Sequence, residues 1–185
     1  MMNTIINIGR SFGSGGGFVG QAIGRKLGIP VYDNELISKV AEEKGYFKNL
    51  FAHEERRSLF SVNNNMMFQI QGDVIRSIAE SGDAVIIGRC ADYILRDLKC
   101  LDVFVCAPLE YRIKRLTEIE GLSPEDAEAL IRRKDRTRET YYNYYTFGNW
   151  GQAANYDLCV DSSILGIEGT ADYIIDFGRK AGIIR

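Results

Sequence analysis

Apolar positions along the chain fall into two alternating patterns. Short apolar runs at residues 4–8, 31–32, 84–87, 101–107 and 158–160, mostly β-branched, predict five strands. Between them, apolar residues recur at helical spacing. Val19, Ile23 and Leu27 mark one helix, stopped by Gly28 and Pro30. Leu36, Ile37, Val40 and Ala41 mark a second, with Asn34 placed to cap it. Ile70, Val74, Ile75 and Ile78 mark a third, ended by Ser81 and Gly82. Residues 109–120 and 123–138 read as two helices around Gly121, the second with Ser123 as its N-cap and Pro124 at its first position. Residues 167–181 form the last. Residues 46–71 are the least readable stretch, mixing charges with aromatics and an asparagine run at 63–65. Strands alternating with helices predict an α/β fold, a parallel sheet covered on both faces with residues 5–8 at its centre. No repeat or linker divides the chain, so one domain is expected over residues 1–185.

Charge and cysteine content narrow the function classes. Acidic and basic residues number 25 and 23, which argues against a nucleic-acid coat. No apolar run approaches the roughly 18 residues of a membrane span. The N-terminus has neither a basic start nor a long apolar segment, so no signal peptide is expected. Cys90, Cys100, Cys106 and Cys159 form no Cys-x-x-Cys pair, and His53 is the single histidine. A protein-held metal site and a Ser-His-Asp or Cys-His nucleophile set are therefore not expected. Reduced thiols and the missing export signal point to the cytoplasm.

The chemistry concentrates in a glycine-rich loop after the first strand. Five of the nine residues from 9 to 17 are glycine, and Gly13, Ser14, Gly15, Gly16 and Gly17 lead directly into a helix. Backbone amides there can wrap an anion at the positive end of the helix. Two motifs compete. Gly15, Gly17 and Gly20 match the dinucleotide fingerprint, with Asp33 ending the next strand. Against this, Gly15 stands seven positions after Ile8, a loop length that suits a P-loop. The P-loop's lysine and hydroxyl, however, fall on Gly16 and Gly17.

A second concentration is cationic. Arg132, Arg133, Lys134, Arg136 and Arg138 place five cations in seven residues with one acid, Asp135. Tyr141, Tyr142, Tyr144, Tyr145, Phe147, Trp150 and Tyr156 follow, as lid packing, an oligomer contact or a stacking surface for bases. Arg89 and Asp33 each stand at the end of an expected strand, where an open parallel sheet borders its ligand crevice.

Taken in order, these stretches resemble the cytidylate kinase-like family of the nucleoside monophosphate kinase group. The resemblance rests on Ile5-Ile6-Asn7-Ile8 with Phe12-Gly13-Ser14-Gly15-Gly16, on Gly28-Ile29-Pro30-Val31-Tyr32-Asp33, and on Ile86-Ile87-Gly88-Arg89. It continues through Val103-Phe104-Val105-Cys106-Ala107 leading to Tyr111-Arg112, then Lys134-Asp135-Arg136-Thr137-Arg138 and Asp157-Leu158-Cys159-Val160-Asp161. It implies a three-layer P-loop kinase fold with a helical lid near residues 133–150. It also implies ATP and Mg²⁺ as cofactors, and phosphoryl transfer to CMP or a close relative. The donor phosphates would lie on residues 13–17. Asp33, Arg89, Arg132 and Asp135 would bind the acceptor nucleotide. Arg10, Arg136 and Arg138 would supply charge in catalysis. The missing P-loop lysine leaves open a second reading, a non-catalytic nucleotide-binding module. The dinucleotide match leaves a third, an oxidoreductase. Partners would be small nucleotides, with no membrane and no nucleic acid.

Overall fold

The computed structural model describes residues 3–45 and 62–185. The described strands are β1 (Ile5–Arg10), β2 (Val31–Tyr32), β3 (Ala84–Ile87), β4 (Leu101–Cys106) and β5 (Leu158–Asp161). They form one sheet in the order β2-β3-β1-β4-β5, with every neighbouring pair parallel. The centre is β1, as its apolar run predicts. This order also removes the dinucleotide reading, because the sheet of that fold runs 3-2-1-4-5-6.

The helices are α1 (Gly16–Leu27), α2 (Asn34–Glu43), α3 (Val62–Ser81), α4 (Ala91–Ile94), α5 (Leu109–Glu120), α6 (Pro124–Thr146) and α7 (Ser162–Lys180). Alternation along β1 divides them between the faces. Ile6 and Ile8 pack with Val85, Val103 and Val105 under α1 and α7. Ile5 and Ile86 pack under α2, α3 and α4 on the other side. A third cluster, Leu116, Ala127 and Ile131 with Phe12 beside it, ties α5 and α6 to the loop after β1. No described helix is long and apolar enough to cross a membrane.

Several boundaries differ from the sequence pattern for local reasons. Asp33, not Asn34, caps α2: its extended backbone lets Oδ1 accept from the Leu36 amide at 3.0 Å. Ser123 caps α6 as expected, accepting from the Asp126 amide at 3.1 Å. That helix does not stop at residue 138 but continues to Thr146. Its tyrosine-rich end is held by stacking of Tyr145 on Phe68 of α3 and by Tyr142 in the interior. The fourth strand ends at Cys106, one residue before the expected limit. A break at Gly166 (φ 67°) divides α7, so its regular part starts at residue 167, where the periodicity puts it. The short α4 has no sequence counterpart in that reading, and His53 lies outside the described residues.

The close seat of α1 on the sheet depends on glycine. A Cβ at Gly24 would run into Val31 Cγ2 and stand 2.9 Å from the Ile29 carbonyl oxygen. Gly17, in the first turn of the same helix, has nothing within 4 Å of that position. Gly24→Ala should therefore lower unfolding stability by about 1–3 kcal/mol. Gly17→Ala should leave it unchanged or raise it by up to about 1 kcal/mol. Urea denaturation measures both, and an unaltered midpoint for Gly24→Ala would mean that α1 sits farther from β2.

Candidate active site

The loop from β1 to α1 is built so that its buried serine is satisfied while four of its amides are left open. Ser14 is fully buried, with Oγ 2.9 Å from the Ser11 carbonyl oxygen and 3.1 Å from that of Val105. The same Oγ accepts from the Gly16 amide, and the Ser14 carbonyl accepts from Ser162 Oγ at 2.6 Å. Ser14 is thus a fastening of the loop. Gly13 (φ 81°) and Gly15 (φ 80°) make the left-handed turns that start α1. The amides of Gly13, Gly15, Gly17 and Phe18 make no hydrogen bond to a described residue. Together with the helix N-terminus they form an anion cradle.

Arg10 brings charge to this cradle. Its side chain leaves the end of β1 and passes between two glycines. A Cβ on Gly16 would lie 2.6 Å from Arg10 Cβ, and a Cβ on Gly88 would strike the Arg10 guanidinium. Arg138 reaches the same place from α6: Nη1 donates to the Arg10 carbonyl at 3.0 Å, and its guanidinium lies 5.3 Å from the Phe12 ring centre. Burial, then the charges of Arg138 and Arg89, pull the Arg10 guanidinium down to about 9, opposed by Asp33. Burial also lowers Arg138. Neither Arg10 nor Arg89 forms an ion pair with a described residue. The cluster is a set of desolvated cations whose natural complement is an anion.

Two cavities meet at these arginines. One of about 550 Å³ is lined by the glycine loop, Arg10, Asp33, Arg115 and Arg138. The other, about 270 Å³, is lined by Arg10, Arg89, Asp92, Tyr142, Tyr156 and Arg138. Its floor follows β3, where Gly88, Arg89 and Cys90 are successive left-handed residues (φ 75°, 59° and 55°). Such backbone strain in two non-glycine residues clusters at functional sites. Gln71 Nε2 holds the turn by donating to the Arg89 carbonyl at 3.0 Å. Tyr142 Oη donates to Asp92 Oδ2 at 2.7 Å, and burial keeps the Asp92 carboxyl above the usual carboxylate range. Burial pushes the Cys90 thiol up to about 12, so no thiolate nucleophile is available there.

Of the residues singled out in the sequence, the structure gathers Gly13, Gly15, Gly16, Gly17, Arg10, Asp33, Arg89 and Arg138 around the two cavities. It does not bring Arg132, Asp135 or Arg136 there as ligand groups. Residues 132, 135, 136 and 139 share one face of α6, while 138, 141 and 142 turn toward the sheet. Arg132 is engaged by Glu128 at 2.6 Å, and Arg136 lines a separate groove with it. Asp135 uses both carboxylate oxygens internally, Oδ1 on the Phe12 amide at 2.7 Å and Oδ2 on Arg112 at 2.5 Å. It positions the loop. Sequence reasoning also missed Arg115, whose Cζ lies 3.5 Å from a Cβ on Gly15 and 5.0 Å from the Phe18 ring centre. It missed Asp92 as well, whose signal was a carboxylate just past the end of a strand. Among the described residues no group of three His, Cys, Asp or Glu side chains could hold a metal ion.

The strand order, the anion cradle between β1 and α1 and the helices on both faces define a P-loop kinase fold. Solved structures share it. A shikimate kinase from Bacteroides thetaiotaomicron superposes with a TM-score of 0.56 at 16% identity, over 95% of this chain and 98% of that one. An uncharacterized protein from Eubacterium ventriosum superposes with a TM-score of 0.78 at 30% identity, over 94% and 96%. The chain belongs to the cytidylate kinase-like family, whose model matches residues 5–164. Among curated relatives, the cytidylate kinase of Methanopyrus kandleri is 26% identical over 172 residues, covering 88% of this chain and 86% of that protein. That of Pyrococcus horikoshii is 26% identical over 167 residues, covering 89% and 83%.

A desolvated, unpaired arginine costs stability until an anion arrives. Arg10→Met keeps the aliphatic stem and removes the charge. It should raise the melting temperature of the ligand-free protein and sharply reduce the further rise produced by ATP. Thermal denaturation with and without ATP checks both, and an undiminished rise in the variant would remove Arg10 from the anion site.

Proposed function

We propose that the protein transfers the γ-phosphoryl group of ATP to a nucleoside monophosphate, CMP or a close relative. The observation that carries this reading is the junction of two cavities at Arg10 and Arg138, one of them walled by the loop amides. In this reading the larger cavity takes the donor triphosphate on the amides of Gly13, Gly15 and Gly17. Arg89 holds the acceptor phosphate in the smaller one. An acceptor phosphate oxygen attacks the γ-phosphorus as the bond to the β,γ-bridging oxygen breaks, giving ADP and a nucleoside diphosphate. Arg10 and Arg138 neutralise charge on the transferring group, work that needs positioning but no covalent intermediate. Residues 133–150 act as the lid, moving on the far half of α6.

The residues fit the donor phosphates, which find open amides and the guanidinium groups of Arg10, Arg115 and Arg138, none of them ion-paired with a described residue. They do not offer Mg²⁺ a P-loop hydroxyl, since residue 17 is glycine. When bound, Mg²⁺ would supply charge neutralisation on the donor phosphates, carried by those phosphates and by water. Arg10 would stand in for the P-loop lysine, because its stem fills the space into which a residue-16 side chain would project.

The absent lysine also favours a second reading, nucleotide binding without transfer. Steady-state kinetics with ATP, Mg²⁺ and a panel of monophosphates separates the two. The proposal expects turnover, and about a 10²–10³-fold loss of kcat in Arg10→Ala and Arg138→Ala with smaller changes in KM. ATP binding with no turnover of any monophosphate would establish the second reading.

A further inference from the structure

A polar residue interrupts the apolar stripe of α3. Phe68, Gln71, Ile75 and Ile78 recur at helical spacing, and the three apolar ones pack into the core on that face of the sheet. A glutamine in such a stripe needs partners for both ends of its amide. Nε2 donates to the Arg89 carbonyl at 3.0 Å. A carbonyl can only accept, so the amide nitrogen must face it and Oε1 points elsewhere. There the Tyr141 hydroxyl of α6 stands 3.5 Å away, and burial pushes that phenol up to about 12, so it remains a donor. The same stretch of α3 carries the end of α6, with Phe68 stacked on Tyr145 at 4.1 Å and edge-on to Tyr141.

The turn that Gln71 touches is strained, with Arg89 and Cys90 both left-handed. Rotation of the peptide between them would relieve that strain and redirect the Arg89 side chain, which lines the smaller cavity beside Arg10. The bond from Gln71 to the Arg89 carbonyl opposes this rotation. Gln71 itself lines neither cavity, so whatever it does for a ligand passes through Arg89. We propose that Gln71 is a positioning residue for acceptor binding, which holds Arg89 toward the acceptor phosphate and ties that turn to the Tyr141 end of α6. This rests on the monophosphate kinase reading above. Acceptor affinity and the seat of α6 on α3 are then linked, each favouring the other.

The test measures CMP and ATP separately in Gln71→Met and Gln71→Glu. Methionine matches the length within an apolar stripe and makes neither bond. Glutamate keeps the size and the acceptor but has no donor for the carbonyl. In both, KM for CMP should rise about tenfold or more while kcat falls less, because acceptor placement is lost and not charge on the transferring group. ATP-induced thermal stabilisation should match that of the wild type. Tyr141→Phe should give a smaller rise, and adding it to Gln71→Met should raise KM no further. A folded Gln71→Met or Gln71→Glu protein with wild-type KM for CMP would overturn the inference. So would equal losses for CMP and ATP with a lowered melting temperature, the mark of a residue that only holds the fold. A wild type that binds ATP but neither binds nor phosphorylates any monophosphate would instead overturn the kinase reading beneath it.

Discussion

Arg10 lies between two glycines, and the site is arranged around that fact. Its stem fills the place a Cβ on Gly16 would take, and its guanidinium fills that of a Cβ on Gly88. A side chain at position 16, lysine included, cannot coexist with Arg10 in this place. The glycine where a P-loop lysine is usual is therefore a steric requirement of the arginine that enters from β1. In the proposed reading, the exchange moves the point of attachment of the charge from the helix to the strand. It also converts a compact ammonium into a planar fork able to contact two oxygens at once.

The surrounding structure keeps this cation in place at an electrostatic cost. Arg10 is desolvated and faces Arg89 and Arg138, with Asp33 as the opposing charge. Arg138 is tied to the Arg10 carbonyl, and α6 is tied to the loop through Asp135, Phe12 and Arg112. The long helix thus does two things with two faces. One face fastens the glycine loop and the other delivers Arg138 and the tyrosines to the cavities. Strain in the turn at Arg89 and Cys90 belongs to the same design, being retained where the backbone is clamped by Gln71.

Much of the fold was legible because burial writes itself into period and run length. Residues 84–87 are apolar without interruption and form β3, covered on both faces. The glycine loop was legible because so many glycines in one turn have few other uses. The site was harder. Five cations in seven residues say that α6 is basic, but the 100° step per residue scatters them. Only Arg138 reaches the cavities, while Arg132 is satisfied by Glu128 in its own helix. Asp135 looked like a ligand group because its role depends on an amide more than a hundred residues away. Asp92 was invisible for the same reason, since what matters is its meeting with Tyr142 in space. Residue 16 looked like a loss because sequence shows the missing lysine and not the stem that occupies its space.

The central claim is that Arg10 carries the charge a P-loop lysine would carry. The most direct measurement is a crystal structure with a non-hydrolysable ATP analogue and Mg²⁺. The account predicts the analogue's phosphates on the glycine-loop amides and an Arg10 nitrogen about 3 Å from a β- or γ-phosphate oxygen. Phosphates bound on the loop with Arg10 making no contact to them would contradict it.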